Sequence, residues 1–402
     1  MVRRNVNATD VRTPAIRTAG RAASPLAATQ ATVLEDGAPS RSAGPDLKRL
    51  VESYRSIIRD RAIRYPVPYH FVRELGHGRQ GVVFLATRQG GRGCLTRHAV
   101  KLHDPGIYSN AEKYWTDMGR LASQVSKLQP VQSDNLVTRE TYDETNGVGY
   151  LQMAAIDGID LQYLLSGTHL GIARSQCTDE EWTHFTSTLF RIEEGSFMLH
   201  PGVALYILRR VLLGLMVLHE AGFLHGDVKP SNIMIDRMGS VKLVDFGRAV
   251  EIGERISILL GSPLYMAPET HRLEAGLVQS DLFSTGLVGL EMLRGDSLRE
   301  CVQMTEEEML AFKMTLMDRL DDLLPPHILQ SKRLVKVLRR FLQPDPANRY
   351  PSAWEAEESY YRLRGIYREM GLDADAEYDR ELLRYLEKIT DPATGHLNPR
   401  LE

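Results

Sequence analysis

The sequence predicts an α+β fold with two unequal lobes, because strand-like patterns are concentrated early in the chain and helical patterns late. Between Phe71 and Lys101, the runs GVVFLAT and RHAVKL have the composition of strands, and the glycine-rich RQGGRGCL between them supplies a turn. The run VGYLQMAAI at 148–156 predicts another strand. After it, apolar residues recur mostly at helical spacing. This order favours a small β-rich lobe followed by a larger helical lobe.

Helices are expected on both sides of the first strands. Asp46–Ile63 carries a stripe of apolar residues at helical spacing, and Ser109–Leu128 returns to the same pattern. Beyond 156 the helical pattern is interrupted by a hairpin after Asn232, where IMID and VKLVDF predict two strands joined by a tight turn. The chain shows no internal repeat.

Residues 166–200 have the character of an insertion in the helical part. Within it, Thr178 and Glu181 form a capping box, which predicts a helix that runs to about Ile192. The C-terminal DADAEYDRELLRYLEKI predicts an amphipathic helix that packs on the domain. A helix reserved for a partner is the alternative for this last segment.

The composition excludes several classes of protein. Of 402 residues, 43% are apolar and 25% are charged, as in an ordinary globular protein. The net charge of −3 provides no field for nucleic acid or an anionic membrane, so neither is an expected partner. Cys94, Cys177 and Cys301 are odd in number and far apart, which predicts a reducing, cytoplasmic location. No apolar run reaches the ~18 uninterrupted residues of a membrane span, and 211–218 predicts a buried helix.

Residues 1–45 differ in composition from the rest of the chain. They are rich in Ala, Ser, Thr, Gly and Pro, and such a stretch buries too little apolar surface to offset its ordering entropy. We therefore expect a disordered tail. A transit peptide is the alternative because arginines outnumber acids here, although Asp10 and the helix-breaking Pro14 argue against it.

The motif GHGRQG at 76–81 is a glycine-rich turn that contains Gly76, Gly78 and Gly81. In a dinucleotide-binding fold such a motif opens a helix, but here the strand-like VVFLAT follows it. The context favours a hairpin that lies over a polyphosphate, since glycines let backbone N–H groups approach phosphate oxygens. Lys101, on a strand that points back toward this hairpin, is a candidate phosphate clamp. An ordinary glycine-rich turn is the alternative for this stretch taken alone.

Three polar motifs follow one another later in the chain. HGDVKPSN places Asp227, Lys229 and Asn232 within six positions, where a buried helix meets a hairpin. VDFG then places Asp245, and GSPLYMAPE ends at Glu269. A solvated loop would not explain this spacing of a carboxylate, an ammonium group and an amide. The motifs therefore indicate more than a solvated loop.

Together with the glycine loop and the strand lysine, these motifs resemble those of the protein kinase family, and the combination is highly specific. The resemblance is to eukaryotic-like serine/threonine protein kinases, which are also found in bacteria. It covers Tyr69 to Leu363, about three quarters of the chain. It implies a two-lobed protein kinase fold, with a small β-rich N-lobe and a larger helical C-lobe.

The resemblance also implies the chemistry, which is transfer of the γ-phosphoryl group of ATP to Ser or Thr hydroxyls of a protein substrate. Asp227 would accept or orient the proton of the hydroxyl, and Lys229 would neutralise the moving phosphoryl group. Asn232 and Asp245 would hold Mg²⁺. The hydroxyl of Ser262 would bridge the catalytic Asp and Lys, which favours short acceptors over tyrosine. Phosphoryl transfer depends on positioning and on cations around the phosphate oxygens.

A nucleotide pocket is implied in the same way. In YLQMAAIDGIDL, Met153 would be the gatekeeper, the backbones of Ala154 and Ile156 would bind adenine, and Asp160 would reach the ribose. The rest of the implied ATP-binding set comprises the residues that sandwich the ring and those that cover the phosphates, namely Leu75, Val83, Ala99, Met234, Gly76, Gly78, Gly81 and Lys101.

Two supporting contacts are implied in the larger lobe. Asp281 in SDLFSTG resembles the buried Asp that braces the catalytic loop. Arg349 in DPANRY resembles the partner of Glu269, and a buried pair of this kind is costly to break from one side.

Two positions depart from the family pattern. The family usually has Arg before the catalytic Asp, where it pairs with a phosphate on the activation loop, but here the residue is Gly226. We therefore expect activity that does not depend on loop phosphorylation, for which Ser257 is the candidate site. An ungapped count back from DNLV puts Gln124 at the position of the helix Glu that pairs with Lys101. Asp117, seven residues earlier, is the alternative partner.

Two other functions compete with the kinase reading. A pseudokinase, meaning a nucleotide-binding scaffold without turnover, is favoured by Gln124 and opposed by the complete set of catalytic and metal-binding residues. HGD also resembles small-molecule phosphotransferases of the aminoglycoside and choline kinase kind. Those lack the APE segment and usually lack a Lys two residues after the Asp.

The expected organisation has four parts. They are the tail at 1–45, a helix and linker at 46–68, a kinase domain at 69–363 with an insertion at about 166–200, and a helical extension at 364–402. The physiological substrate, the upstream signal and the oligomeric state are not indicated by the sequence.

Overall fold

The computed structural model describes residues 47–193, 196–254, 263–295, 298, 304–358, 363–369, 375–391 and 397. The expected tail at 1–45 lies outside these residues. So do Ser257, Ser262 and Cys301. The predictions made for them stay predictions.

The smaller lobe is built on one antiparallel sheet with the strand order β1-β2-β3-β4-β6-β5. Its strands are β1 (Ala62–Ile63), β2 (Tyr69–Gly78), β3 (Gly81–Gln89), β4 (Leu95–His103), β5 (Arg139–Thr145) and β6 (Val148–Ala154). The strands expected from GVVFLAT, RHAVKL and VGYLQMAAI are confirmed as β3, β4 and β6. The sequence pattern does not predict β5, which lies at the edge of the sheet.

The alternation of side chains along β4 gives this sheet two different faces. Val100 and Leu102 are fully buried on one face, in a cluster to which α1 (Leu47–Asp60) contributes Tyr54 and Ile57. Ala99 and Lys101 lie on the opposite face. The expected N-terminal helix therefore covers the back of the sheet and leaves Lys101 on the face toward the larger lobe.

The larger lobe is mostly helical, and α6 (Pro201–Glu220) and α8 (Val278–Arg294) form its centre. Every residue of α8 from 280 to 293 is buried. The other described helices outside the insertion are α2 (Ala111–Leu128) in the smaller lobe, α3 (Leu161–Ser166), α7 (Pro268–His271), α9 (Glu306–Thr315), α10 (Leu320–Leu323), α11 (Pro326–Leu329), α12 (Lys332–Phe341), α13 (Ala353–Glu358), α14 (Leu363–Glu369) and α15 (Asp375–Lys388). Together they confirm the expected α+β, two-lobed architecture.

Five short strands form two small sheets in addition to the sheet of the smaller lobe. The strands β7 (Gly158–Asp160), β11 (Ile233–Asp236) and β12 (Val241–Leu243) form a small sheet in the order β12-β11-β7. The strands β10 (Phe223–Leu224) and β13 (Val250–Glu251) form an antiparallel pair. The hairpin expected after Asn232 is thus β11–β12.

The helix α6 is long and apolar enough to cross a membrane, by length and composition alone. In this structure, however, 72% of its apolar window is buried inside the protein. Because the core helix of a globular domain passes the same test, the finding is weak evidence for a span. The expectation of a buried helix at 211–218 is confirmed.

The insertion contains α4 (Leu170–Gln176), α5 (Asp179–Thr188), β8 (Phe190–Glu193) and β9 (Ser196–Leu199). The capping box between Thr178 and Glu181 is confirmed at the start of α5. The expectation that this helix runs to about Ile192 is wrong, because it ends at Thr188 and the chain continues as a strand. β8 pairs with β9 over four residue pairs, which is a contact that the local pattern does not reveal.

The insertion packs against the C-terminal helix α15. The ring of Tyr385 lies 5.3 Å from that of Phe185 and 4.7 Å from that of Phe190, both in the insertion. On the rim of this contact, Lys388 Nζ lies 2.7 Å from Glu181 Oε1. The expectation that the C-terminal helix packs on the domain is therefore confirmed, and much of its contact is with the insertion.

Candidate active site

The glycine-rich motif forms the turn between β2 and β3, where Gly78 pairs with Gly81. Gly81 has a φ of +142°, and a Cβ there would lie 1.9 Å from the carbonyl oxygen of Leu102. Only glycine fits at such a position. Among the described residues, no atom lies within 4 Å of a Cβ built on Gly76 or Gly78. The structure thus confirms an open glycine hairpin rather than the strand-to-helix turn of a dinucleotide fold.

Lys101 forms an ion pair with Asp245 at the bottom of this hairpin. Its Nζ lies 2.6 and 2.8 Å from the two carboxylate oxygens of Asp245 and 3.1 Å from Oε1 of Gln80, at the tip of the glycine turn. Burial raises the pKa of Asp245, but Lys101 and Lys229 lower it by more, so that the pKa lies below its ordinary range. Asp245 therefore stays ionised, which is the form that a metal ligand requires.

The apolar residues expected around adenine share the face of the sheet that carries Lys101. Val83 pairs with Lys101 across β3 and β4, and Ala99 pairs with Met153 across β4 and β6. Residues directly opposite each other in an antiparallel pair project to the same face. Val83, Ala99, Lys101 and Met153 are therefore brought together, as the resemblance implies.

The remaining nucleotide-pocket residues lie where the two lobes connect. Ala154 ends β6, Asp160 caps α3 by accepting a hydrogen bond from Tyr163 N at 2.7 Å, and Met234 pairs with Asp160 across β7 and β11. Leu75 and Ile156 are half-buried against the main core. Leu75 lies on β2 of the smaller lobe and the other positions lie at the junction, and their contacts with a nucleotide stay predictions.

The catalytic loop is held from below by Asp281, as expected. The carboxylate accepts hydrogen bonds from His225 N at 2.8 Å, Gly226 N at 2.9 Å and His219 Nε2 at 2.8 Å. Burial raises the pKa of Asp281, but the contact with His219 and the neighbouring donors lower it by more, so the net shift is downward. Two successive backbone N–H groups of the loop are thereby fixed by one buried carboxylate.

The catalytic loop brings Asp227, Lys229 and Asn232 into direct contact. Lys229 Nζ donates to Asp227 Oδ2 at 2.7 Å, and Asn232 Nδ2 donates to the same oxygen at 2.9 Å. Asn232 Nδ2 also donates to the backbone oxygen of Asp227 at 2.8 Å. The side chain of Asp227 is 10% exposed. One carboxylate oxygen is thus fixed by two donors while the group remains reachable from the cleft.

The catalytic loop is joined directly to the segment that carries Asp245. Val244 N donates to Asn232 O at 2.9 Å, and the ring of His225 lies 4.9 Å from that of Phe246. Asp245 has a φ of +59°, a region that costs a non-glycine residue roughly 1–2 kcal/mol. Such strain is characteristic of functional positions. The four catalytic and metal-binding residues that the motifs predict therefore lie in one continuous site.

Gln124 does not face Lys101, so this sequence-based expectation is wrong. Its Nε2 donates to Phe246 O and Ala249 O, both at 2.7 Å, and the residue is 6% exposed. The alternative, Asp117, accepts hydrogen bonds from Tyr108 and Arg120 instead. An ungapped count gives the position of a residue along the helix, whereas the rotation of α2 is set by the apolar face that it buries.

We therefore expect Gln124→Glu to lower kcat/KM rather than raise it. A glutamate would set a buried carboxylate against two carbonyl oxygens and would lose two hydrogen bonds, at a cost of about 1–3 kcal/mol in the free energy of unfolding. Steady-state kinetics and thermal unfolding measure the two effects. Asp117→Asn is the control on the same helix, with an expected change in kcat/KM below about threefold. An increase in activity for Gln124→Glu would show that α2 faces Lys101 after all.

The buried pair expected in the larger lobe is present. Arg349 Nη1 and Nη2 lie 2.7 and 2.9 Å from the two carboxylate oxygens of Glu269, and Ser280 Oγ donates to Glu269 Oε1 at 2.7 Å. Burial raises the pKa of Glu269, but the hydrogen bonds and charge of Arg349 lower it by more, so that the net shift is downward. This pair ties the segment that ends at Glu269 to the helical core.

Sequence reasoning missed two polar residues of the site. Gln80 contacts Lys101 from the glycine turn, and Arg248 Nη1 lies 3.7 Å from Asp227 Oδ1. The motif VDFGR contains a signal for Arg248, because a charged residue directly follows the glycine of the predicted metal-binding loop.

The fold and the site agree with a comparison against known families. Residues 69–361 match the model of the protein kinase domain. The chain therefore belongs to the protein kinase family, with matched residues that end two positions before the boundary expected from the sequence.

Several curated serine/threonine protein kinases are similar to this chain. SKM1 of Saccharomyces cerevisiae is 27% identical over 248 residues, which are 58% of this chain and 34% of SKM1. PknL of Mycobacterium tuberculosis is 44% identical over 108 residues, 26% of this chain and 27% of PknL. PrkC of Bacillus subtilis is 36% identical over 101 residues, 24% of this chain and 16% of PrkC. The chain spans about a third or less of the length of these relatives.

Proposed function

We propose that this protein is a serine/threonine protein kinase that uses ATP and Mg²⁺ and acts in cytoplasmic signalling. The observation that carries the proposal is the carboxylate of Asp227, which is fixed at Oδ2 by Lys229 and Asn232 and lies in the same site as the Lys101–Asp245 pair. Family membership and the names of the relatives support the activity. The proposed location rests on cysteine usage.

In the proposed reaction, the oxygen of a Ser or Thr hydroxyl attacks the γ-phosphorus of ATP while the bond to the departing ADP oxygen breaks. Asp227 orients the hydroxyl and takes its proton. Lys229, which is bound to that carboxylate, supplies positive charge beside the phosphoryl group as it moves. Charge stabilisation and positioning of this kind provide most of the rate enhancement in phosphoryl transfer.

Asn232 and Asp245 fit the Mg²⁺ that the family implies. Mg²⁺ prefers hard oxygen ligands and binds proteins through one or two such groups together with substrate phosphates and water. Asn232 makes its side-chain hydrogen bonds through Nδ2, so its Oδ1 is available as a metal ligand. Asp245 stays ionised because its pKa is lowered. When bound, Mg²⁺ would neutralise charge on the phosphates.

A pseudokinase is the second candidate function. It is favoured by the contacts of Lys101, which forms its ion pair within the described ranges with Asp245. Gln124 and Asp117 of α2 bond to other residues. In that case the site would bind nucleotide without turnover. Lys229 and Asn232 contact Asp227, and Asp245 is ion-paired with Lys101, so the complete set of four residues argues for the active enzyme.

We expect the acceptors to be Ser and Thr rather than Tyr. The similar proteins are serine/threonine protein kinases, and Lys229, which the resemblance associates with such acceptors, donates to Asp227 Oδ2 at 2.7 Å. Acid hydrolysis of protein labelled from γ-³²P-ATP, followed by phosphoamino-acid separation, checks this. Protein incubated with the Asp227→Asn variant gives the background. Label found mainly in phosphotyrosine would overturn the assignment.

A further inference from the structure

The two carboxylate oxygens of Asp227 have different surroundings. Oδ2 accepts hydrogen bonds from Lys229 and Asn232. Oδ1 faces Arg248, whose Nη1 lies 3.7 Å away and whose side chain is 12% exposed. A guanidinium at this distance from a nearly buried carboxylate attracts it far more strongly than a surface pair would. The rotation of the carboxylate is therefore restrained from both sides.

Arg248 can occupy this place because residue 226 is a glycine. Gly226 has a φ of +72°, and a Cβ there would lie 2.8 Å from the backbone oxygen of Arg248 and 3.7 Å from its Cβ. Any side chain at 226 would displace the backbone that carries the guanidinium. Gly226, before the catalytic Asp, thus leaves open the space that the backbone of Arg248, after the VDFG motif, occupies.

The turn that carries Arg248 is itself fixed by α2. Gln124 Nε2 donates to the backbone oxygens of Phe246 and Ala249, one on each side of Arg248 along the chain. Ala249 N also donates to Phe246 O at 3.0 Å. The buried amide of Gln124 therefore holds the turn in the conformation that directs Arg248 toward Asp227.

Asp227 is the acidic partner of Arg248 that the geometry gives within the described ranges. Nη2 of Arg248 is buried and has no hydrogen-bond partner among the described residues. Burial lowers the pKa of this guanidinium, while Asp227 and Asp245 raise it, and an arginine remains protonated throughout. Of these two carboxylates, Asp227 is the one that forms an ion pair with Arg248 among the described residues, at 3.7 Å from Nη1. A buried cation is costly unless it is paired, so this contact indicates a role of Arg248 toward Asp227.

We propose that Arg248 is a positioning residue that orients the carboxylate of Asp227 through Oδ1, in the space that Gly226 leaves open. The inference rests on the proposed kinase function. It gives the catalytic carboxylate a second restraint, at Oδ1, from a cation on the turn after Gly247. It also makes the orientation a built-in property of the fold, independent of any phosphate on the segment after Gly247.

The test compares Arg248→Gln, Arg248→Lys and Arg120→Gln with the wild type in steady-state kinetics on a generic basic protein. For Arg248→Gln we expect kcat to fall roughly 10- to 100-fold, with KM for ATP within about threefold and thermal unfolding close to wild type. Arg248→Lys keeps the charge and should recover most of the lost kcat. Arg120→Gln removes a neighbouring cation that contacts Gly247 but not Asp227, and should change kcat by less than about threefold.

A chemical rescue separates orientation by charge from packing. Guanidinium at about 20 mM should raise kcat of Arg248→Ala several-fold and should leave Asp227→Asn unchanged. The proposal is wrong if Arg248→Gln keeps kcat within threefold, if its defect lies in KM for ATP alone, or if the Lys and Gln variants lose activity equally and unfold early.

A phosphatase experiment tests the alternative role of Arg248, which is to bind a phosphate group. Wild type that has been dephosphorylated, with the loss verified by intact mass, should keep its activity. If dephosphorylation lowers wild-type activity to the level of Arg248→Gln and leaves that variant unaffected, Arg248 receives a phosphate and the positioning role is overturned. If wild type transfers no phosphate under any condition, the kinase function itself fails, and the role of Arg248 fails with it.

Discussion

Asp227→Asn should reduce kcat by about 10²–10⁴-fold while the Kd for ATP changes by less than about threefold. The amide cannot take the proton of the acceptor hydroxyl. Lys229 and Asn232 both donate to Asp227 Oδ2. In the variant they meet either an amide oxygen, which accepts more weakly than a carboxylate, or an amide NH₂ group, which cannot accept a hydrogen bond from them. Steady-state kinetics and calorimetric ATP titration measure the two quantities separately.

Asp321→Asn is a suitable control for this variant. Asp321 is an exposed carboxylate on α10 that pairs with Arg339 at the surface, and its loss should leave kcat unchanged. A kcat for Asp227→Asn within threefold of wild type would remove the catalytic assignment of the loop.

Arg349→Met should lower the free energy of unfolding by about 3–5 kcal/mol, because it leaves the carboxylate of Glu269 buried without its cation. Arg349 also donates to the backbone oxygens of Gln343, Gln279 and Pro344, at 2.7 to 2.9 Å. Chemical denaturation at pH 7 gives the size of the loss. The control is Arg339→Met, which breaks an exposed ion pair with Asp321 and should cost less than about 1 kcal/mol.

The effect of Arg349→Met should also depend on pH. The pKa of Glu269 is lowered in the folded protein, so its contribution to stability is present above the ordinary carboxyl pKa and is lost as pH falls through the lowered value. In the variant the unpaired carboxylate binds a proton more readily, so the difference from wild type should narrow between pH 7 and pH 5. An equal loss for Arg349→Met and Arg339→Met at pH 7 would contradict the buried-pair account.

The parts of the fold that the sequence predicted are those set by local pattern. The last six residues of β4, which include Lys101, are all buried, and α1 buries Leu50, Tyr54 and Ile57 from the expected apolar stripe. The residues of the catalytic loop are adjacent in the chain, so their spacing alone nearly determines their contacts. Local chemistry therefore carries the prediction of the catalytic loop.

The parts that the sequence did not predict depend on contacts between distant segments. Gln124 bonds to residues more than 120 positions away, and a count of residues along the chain contains no information about the rotation of α2. The helix α5 ends at Thr188, and the next residues form β8, which pairs with β9 and whose Phe190 packs against Tyr385 of the C-terminal helix. The approach of Arg248 to Asp227 depends on a turn that Gln124 holds. Each of these is a tertiary effect that overrides a local preference.

Transfer of ³²P from γ-labelled ATP by the purified 402-residue protein tests the central claim most directly. Wild type and Asp227→Asn should be incubated in parallel with a generic basic protein, with an aminoglycoside and with choline. The kinase account predicts Mg²⁺-dependent label on the protein substrate with wild type and background label with the variant. Label on a small molecule alone would identify a small-molecule phosphotransferase, and ATP binding without transfer to any acceptor would identify a pseudokinase. Either result would contradict the account.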